Sequence, residues 1–358
     1  MRPSSSSSEP RAEETPGGLF DGVLARGRVR GEVEDAAWLQ ALLDVEAALA
    51  RASAQAGLMP ERHAEAITAA CRAERFDVAA LGAEAAEGGN PVIPLVRALT
   101  AAVPGDAAGW VHRGATSQDI LDTAMVLVAR RALQPLCADL RASRDAAALL
   151  AQEHRDTVMV GRTLLQQAVP TTFGLKAAGW AMAAHDAECR LVTVEGTLPA
   201  QLAGAAGTLA ALDGRGLEVL ATFARELDLR VPVLPWHTAR LPVGDLAGAL
   251  GTAAGVLSKI AVDVLLLAQT EVGEVSEGAA GRGASSAMPH KRNPVAALSA
   301  RAAARRAPGL VATLLACMEQ EHERGAGVWQ AEWQPLSDLL ASVGSAAAWM
   351  QDCLEHLV

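Results

Sequence analysis

Leu246-Ala-Gly-Ala-Leu250-Gly-Thr-Ala253-Ala-Gly-Val-Leu257-Ser-Lys-Ile260-Ala-Val-Asp-Val264-Leu-Leu-Leu267 repeats apolar residues at alternating steps of four and three over three heptads. That spacing marks one stripe of a helix, the seam by which it buries itself against neighbours in a bundle. A seam specifies assembly rather than chemistry, so it decides the fold class and leaves function open. Outward from it, Trp38, Leu42, Val45 and Leu49 recur on one helical face between Asp35 and Ala56, and Gly57 with Pro60 ends that helix. Asp119 to about His154 is interrupted only by Pro135, and Pro170 to about Gly196 holds no further proline, which predicts two more long helices. Turn-rich stretches at Glu87-Gly88-Gly89-Asn90-Pro91 and Val103-Pro104-Gly105-Asp106 break the chain between them. The reading is an all-α protein with no βαβ alternation. It has a disordered tail over 1–18, an N-terminal helical domain over 19–110 and a central helical-bundle domain over 111–358.

With 358 residues, the chain is long enough to bury a sizeable core. Lys+Arg 31 against Asp+Glu 41 leaves a net charge of −10, which argues against a nucleic-acid partner. Only Lys176, Lys259 and Lys291 are lysines, and tyrosine is absent. Cys71, Cys137, Cys189, Cys317 and Cys353 are odd in number and irregularly spaced, which fits neither a disulfide framework nor a paired zinc site. No stretch approaches the ~18 uninterrupted apolar residues of a membrane span, and the N-terminus lacks an apolar leader core. The expectation is a cytoplasmic protein without a membrane partner.

The segment with the most chemistry is Gly278-Ala-Ala-Gly-Arg-Gly-Ala-Ser285-Ser286-Ala-Met288-Pro289-His290-Lys291-Arg292-Asn293-Pro294. Glycines and small residues make it a loop between helices. Two serines, a histidine, two cations and an amide crowded there suit an anion site with a proton-transfer group, although a solvated connection has the same composition.

The stretch from Gly283 to Pro294 resembles the signature loop of the fumarase/aspartase superfamily, whose members reversibly eliminate a group beta to a carboxylate. Three further stretches match in order: Trp110-Val-His-Arg-Gly-Ala-Thr-Ser-Gln-Asp119, Gly161-Arg-Thr-Leu-Leu-Gln-Gln-Ala-Val-Pro170-Thr-Thr-Phe-Gly174, and Gln320-Glu-His-Glu-Arg-Gly325. Within the superfamily, Gly89-Asn90-Pro91, Pro235-Trp236-His237-Thr238 and Gln269-Thr-Glu-Val-Gly-Glu274 are most similar to the 3-carboxy-cis,cis-muconate cycloisomerase family. Adenylosuccinate lyases share the loop but carry histidines where Asn90 and Leu164 stand. The second of those histidines is a catalytic acid. A muconolactone opens by releasing a carboxylate of pKa ~4, stable as an anion, so a general acid adds little and Leu164 is compatible with activity.

The resemblance puts proton transfer on Ser285, with Lys291 and loop N–H groups stabilising its oxyanion and Ser286 as its hydrogen-bonding neighbour. It implies a tricarboxylate substrate held by Lys291, Asn293, Thr116 and Ser117, with His112, Gln166 and Met288 lining the pocket. His237 and Arg240 join the substrate-binding set, although a buried, satisfied histidine reads equally well from the residues. Glu321, His322 and Glu323 do not share a helix face, and the resemblance implies neither metal nor cofactor. It implies a homotetramer whose sites are assembled from different subunits. It also implies a smaller C-terminal domain, which this chain, stopping at Val358, is expected to lack. Three alternatives stay open: a relative with another acidic leaving group, such as a nitrosuccinate lyase, an adenylosuccinate lyase type, and a non-catalytic helical assembly.

Overall fold

The computed structural model describes residues 18–278, 282–288 and 290–358, so the expected tail lies outside the described residues apart from Gly18. Two short helices, α1 (Asp21–Leu24) and α2 (Val29–Glu32), lead into α3 (Asp35–Gln55), α4 (Glu61–Ala70), α5 (Val78–Gly88) and α6 (Val92–Ala102). Then come α7 (Ser117–Glu153), the hairpin β1 (Val158–Thr163) and β2 (Gln166–Thr172), α8 (Phe173–Glu195), α9 (Gly216–Glu226) and α10 (Leu241–Leu267). The chain closes with α11 (Val295–Ala304), α12 (Ala307–Ala316) and α13 (Trp333–Glu355). The architecture is helical, with one departure from the sequence expectation. The stretch before Phe173, expected as helix from Pro170, is an antiparallel strand paired with Val158–Thr163.

The seam of α10 is the axis of the molecule. Leu246, Leu250, Ala253, Leu257, Ile260, Val264 and Leu267 are all buried, packed against α8, α11, α12 and α13. Each large aliphatic side chain so buried contributes roughly 1.5–3 kcal/mol. By length and hydropathy α10 would cross a membrane, which the sequence reading did not expect of any segment, yet its seam is spent on the bundle core. One buried apolar cluster runs from Val29 through the bundle to Leu357.

Polar contacts fix the helix directions. Arg240 at the start of α10 pairs with Asp122 near the start of α7 and with Glu332 just before α13. At the other end, Arg162 of the hairpin after α7 pairs with Glu274 after α10, and Gly278 N–H donates to the His356 carbonyl after α13. Helices α7, α10 and α13 therefore run the same way. α8 returns alongside them, since Trp180 early in α8 donates to Asp263 late in α10 at 2.7 Å. The 37 residues of α7 span about 55 Å, so the bundle has two well-separated ends.

Candidate active site

One half of the candidate site is built at the start of α7. Thr116 is its N-cap, and Asp119 reaches back to accept the Thr116 N–H at 3.0 Å, a capping box that fixes the helix entry. Ser117 opens the helix, so Thr116 and Ser117 stand at the positive end of its dipole, where an anion is favoured. His112 lies just upstream with φ +60, and Gly114 follows at φ +85, where a Cβ would stand 2.3 Å from Leu212 Cδ2. That close approach holds the His112 turn against the loop that follows α8.

His112 Nδ1 lies 2.6 Å from Oε1 of Glu46, a residue of α3 that is 1% exposed. Burial opposes charge on the ring, but the charge and hydrogen bond of Glu46, with Asp119 beyond, outweigh it and raise the His112 pKa above the ordinary histidine value. Asp119 is a second hub: it also accepts the N–H groups of Ala203 and Gly204 and faces His237 Nε2 at 2.7 Å. Arg324, half-buried, donates to the Gly204 carbonyl at 2.6 Å, which brings the 320–325 segment to the same place. Arg113, beside His112, is turned over the Trp110 ring at 4.5 Å.

Two residues of the expected substrate-binding set are buried in this chain. His237 is 3% exposed, held by Asp119, with its carbonyl accepting from Gln118 at 2.8 Å. Arg240 is fully buried between Asp122 and Glu332, with the Trp329 indole also donating to Asp122 at 2.9 Å. A guanidinium already matched by two carboxylates and shut away from solvent has no donor left for a ligand in this chain. In this chain both residues belong to the polar network behind the start of α7. Asn90 is likewise structural: its Oδ1 accepts the Val92 N–H at 3.1 Å at the start of α6.

The other half lies at the opposite end of α7. The signature loop is pinned at its base, where Glu277 accepts the Ala296 and Ala297 N–H groups at 3.0 and 2.8 Å and Arg282 pairs with Asp352 of α13. Its neck is closed by Gly283, whose carbonyl accepts both the backbone N–H and the side-chain Nδ2 of Asn293, at 2.9 and 3.2 Å. Within it, Ser285 Oγ accepts the N–H of Ala287 at 3.3 Å and of Met288 at 3.2 Å. Two amides aimed at one hydroxyl oxygen stabilise negative charge on it, as a serine base requires. Ser286, Met288 and Lys291 are exposed, and Asn293 is half-buried. The Arg162–Glu274 pair ties the hairpin to the segment that leads from α10 into this loop. Gln166 is exposed on the hairpin, paired with Thr163 across the Leu164-Leu165 turn, and Leu164 is 96% exposed.

Gly283 has φ +78, and a Cβ there would stand 2.2 Å from the Asn293 carbonyl oxygen. Gly283→Ala is therefore expected to open the neck and lower turnover at least about tenfold, while the melting temperature stays near wild type because the bundle core is untouched. Steady-state kinetics beside a thermal melt checks this, and full activity would refute the neck's role.

The structure thus gathers His112, Thr116 and Ser117 at one end and Ser285, Ser286, Met288, Lys291, Asn293 and Gln166 at the other. Glu46, Asp119 and Arg324 were not singled out from sequence. The signal for Glu46 was a carboxylate between Val45 and Ala47 on an otherwise apolar face; for Asp119 it was the Thr-x-x-Asp capping spacing. Among the described residues, no three His, Cys, Asp or Glu side chains gather as a metal-binding group.

Comparison with known proteins matches residues 23–309 to a lyase family model. The chain is 50% identical over 344 residues to the nitrosuccinate lyase of Streptomyces davaonensis, covering 92% of this chain and 72% of that protein. It is 49% identical over 345 residues to the 3-carboxy-cis,cis-muconate cycloisomerase of Bradyrhizobium diazoefficiens, covering 95% and 76%. The crystal structure of the 3-carboxy-cis,cis-muconate lactonizing enzyme from Pseudomonas putida superposes with a TM-score of 0.90 at 44% identity, over 95% of this chain and 77% of that one.

Proposed function

This chain belongs to the lyase family with the fumarase/aspartase-like fold, and from that membership we propose that it interconverts 3-carboxy-cis,cis-muconate and 4-carboxymuconolactone in the cytoplasm. The observation that carries the reading is Ser285 Oγ seated on two backbone N–H groups in the loop that also presents Lys291 and Asn293. In the lactonising direction a substrate carboxylate oxygen adds to the conjugated double bond, and the electron pair moves to the carbon alpha to a second carboxylate. Ser285 delivers the proton to that carbon. In reverse, the Ser285 oxyanion removes the proton, the lactone C–O bond breaks, and the carboxylate leaves without needing an acid. Nucleophile and electrophile are one molecule, so the protein's work is folding the substrate and holding its charges.

Three carboxylates need cations and donors on several sides. The Lys291–Asn293 half and the His112–Thr116–Ser117 half supply them, but within a chain they lie toward opposite ends of the bundle: Arg282 at the loop base pairs with Asp352, about 30 Å along α13 from Glu332. A complete site therefore requires copies packed so that one end of a bundle meets the opposite end of another, as in a homotetramer. An open groove of about 750 Å³ between α8 and α10, lined by Leu175, Lys176, Gly179, Thr252, Gly255 and Lys259, supports such packing. Among the described residues nothing lies within 4 Å of a Cβ placed on Gly179 or Gly255, so these small residues leave room for another helix to approach.

The 50% identity to a nitrosuccinate lyase supports a second reading of the same site: alpha-proton removal from nitrosuccinate with nitrite leaving as a stable anion and fumarate forming. Ultraviolet spectra of the purified protein with each substrate separate the two. Loss of the diene absorbance of 3-carboxy-cis,cis-muconate is the expected result. Fumarate appearing from nitrosuccinate with the diene unchanged would replace the first reading by the second.

A further inference from the structure

Glu46 has no part in the chemistry described above, yet it is the most unusual group near the N-terminal end of α7. It is 1% exposed in a run of apolar α3 residues, its Oε1 faces His112 Nδ1 at 2.6 Å, and its Oε2 is buried without a hydrogen-bond partner among the described residues. A carboxylate costs several kcal/mol to bury, and an orphaned oxygen adds to that cost. His112 in turn holds a left-handed backbone conformation, φ +60, that a residue of its size adopts at a cost. The carboxylate is not needed for packing, since an apolar residue at position 46 would fill the same face of α3.

We propose that Glu46 is a positioning residue: it accepts Nδ1–H, fixes the ring orientation of His112 and holds its imidazolium, so that Nε2–H is presented to a carboxylate ligand at the start of α7. The proposal deepens the reading above and rests on it for the identity of the ligand as a polycarboxylate. With Nδ1 engaged by Glu46, Nε2 is the nitrogen left for a ligand, and the side chain is 19% exposed. The same end carries the Thr116–Ser117 helix start and the half-buried Arg324, so one anion would meet a ring cation, a helix dipole and a guanidinium together. The charges acting on the ring are Glu46 from α3 and Asp119 from α7; Arg113, next in sequence, is turned over Trp110, and Arg324 on a neighbouring loop donates to the Gly204 carbonyl.

The sign follows from these groups. His112 carries its charge below its pKa and loses it as pH rises through that value, so anion affinity falls on the alkaline side. Removing the Glu46 charge moves that fall to lower pH. The test titrates His112 by NMR in the ligand-free assembled protein, wild type against Glu46→Gln, and measures binding of tricarballylate, a saturated tricarboxylate, from pH 5.5 to 8.5. The expected results are a lowered His112 midpoint and an affinity loss that is about tenfold near pH 7.5 and smaller at pH 5.5. An unshifted midpoint, or a loss of affinity equal at every pH, would overturn the proposal. If Glu46→Gln does not assemble, His112→Gln carries the test: binding should lose its alkaline fall, and a pH dependence that persists would overturn the proposal. Failure of the functional reading is a separate result, in which wild type binds tricarballylate as expected yet turns over neither substrate.

Discussion

Ser285→Ala loses at least about a thousandfold in kcat while its melting temperature and assembly stay at wild-type values. The size of the effect follows from the role. The serine oxygen moves the proton in the step that makes or breaks the carbon–hydrogen bond, so its removal acts on the transition state, and KM changes little. The stability expectation follows from position: Ser285 is half-buried in a loop outside the bundle core, and among the described residues its hydroxyl bonds to the N–H groups of Ala287 and Met288. Those two amides can turn to water when the hydroxyl is gone. Turnover unchanged in this variant would remove Ser285 from the mechanism whatever the fold.

Arg240→Met has the largest expected effect on stability, a loss of about 3–5 kcal/mol at neutral pH. Arg240 donates to Asp122 at 2.7 and 3.1 Å and to Glu332 at 3.1 Å, with a further shorter contact, and all three side chains are fully buried. Burial already pushes the Glu332 pKa up despite the pairing with Arg240. Without the guanidinium, two carboxylates face each other in a dry space, and each is better accommodated protonated. The folded pKa values then lie above the unfolded ones, so stability falls as pH rises from the ordinary carboxylate range through the raised values. The deficit against wild type should be smaller at pH 5 than at pH 8 in urea unfolding. A deficit below about 1 kcal/mol, or one that grows on acidification, would contradict this account of the network.

Much of the fold was legible because periodicity is local. The Leu246–Leu267 seam is buried as its spacing required, and the helix carrying Trp38, Leu42, Val45 and Leu49 spans Asp35–Gln55 against an expectation of Asp35–Ala56. The hairpin was missed for a physical reason. Its strands hold β-favouring Val158, Val160, Val169 and Thr171, but its turn is Leu164-Leu165, at φ 53 and 64, without the Gly or Asn that marks such a turn in a sequence. Site residues were legible as motifs and illegible as contacts. His237 and Arg240 sit in a motif-like stretch, but only the fold shows that Asp119, Asp122 and Glu332, far apart in sequence, turn them inward. Glu46 escaped for the same reason, since its partner His112 lies 66 residues away. The distance between the two halves was also hidden: it is set by the length and direction of α7.

That separation makes the central claim testable without any structure of the assembly. Differently tagged chains carrying Ser285→Ala and His112→Asn, each expected to be inactive alone, are co-expressed, and the mixed oligomers bearing both tags are isolated. If each site takes its halves from different copies, some sites in the hybrids contain two wild-type halves, and turnover of 3-carboxy-cis,cis-muconate returns to a substantial fraction of wild type. Hybrids as inactive as either parent, with both tags present in one particle, would mean that the two halves do not meet across copies.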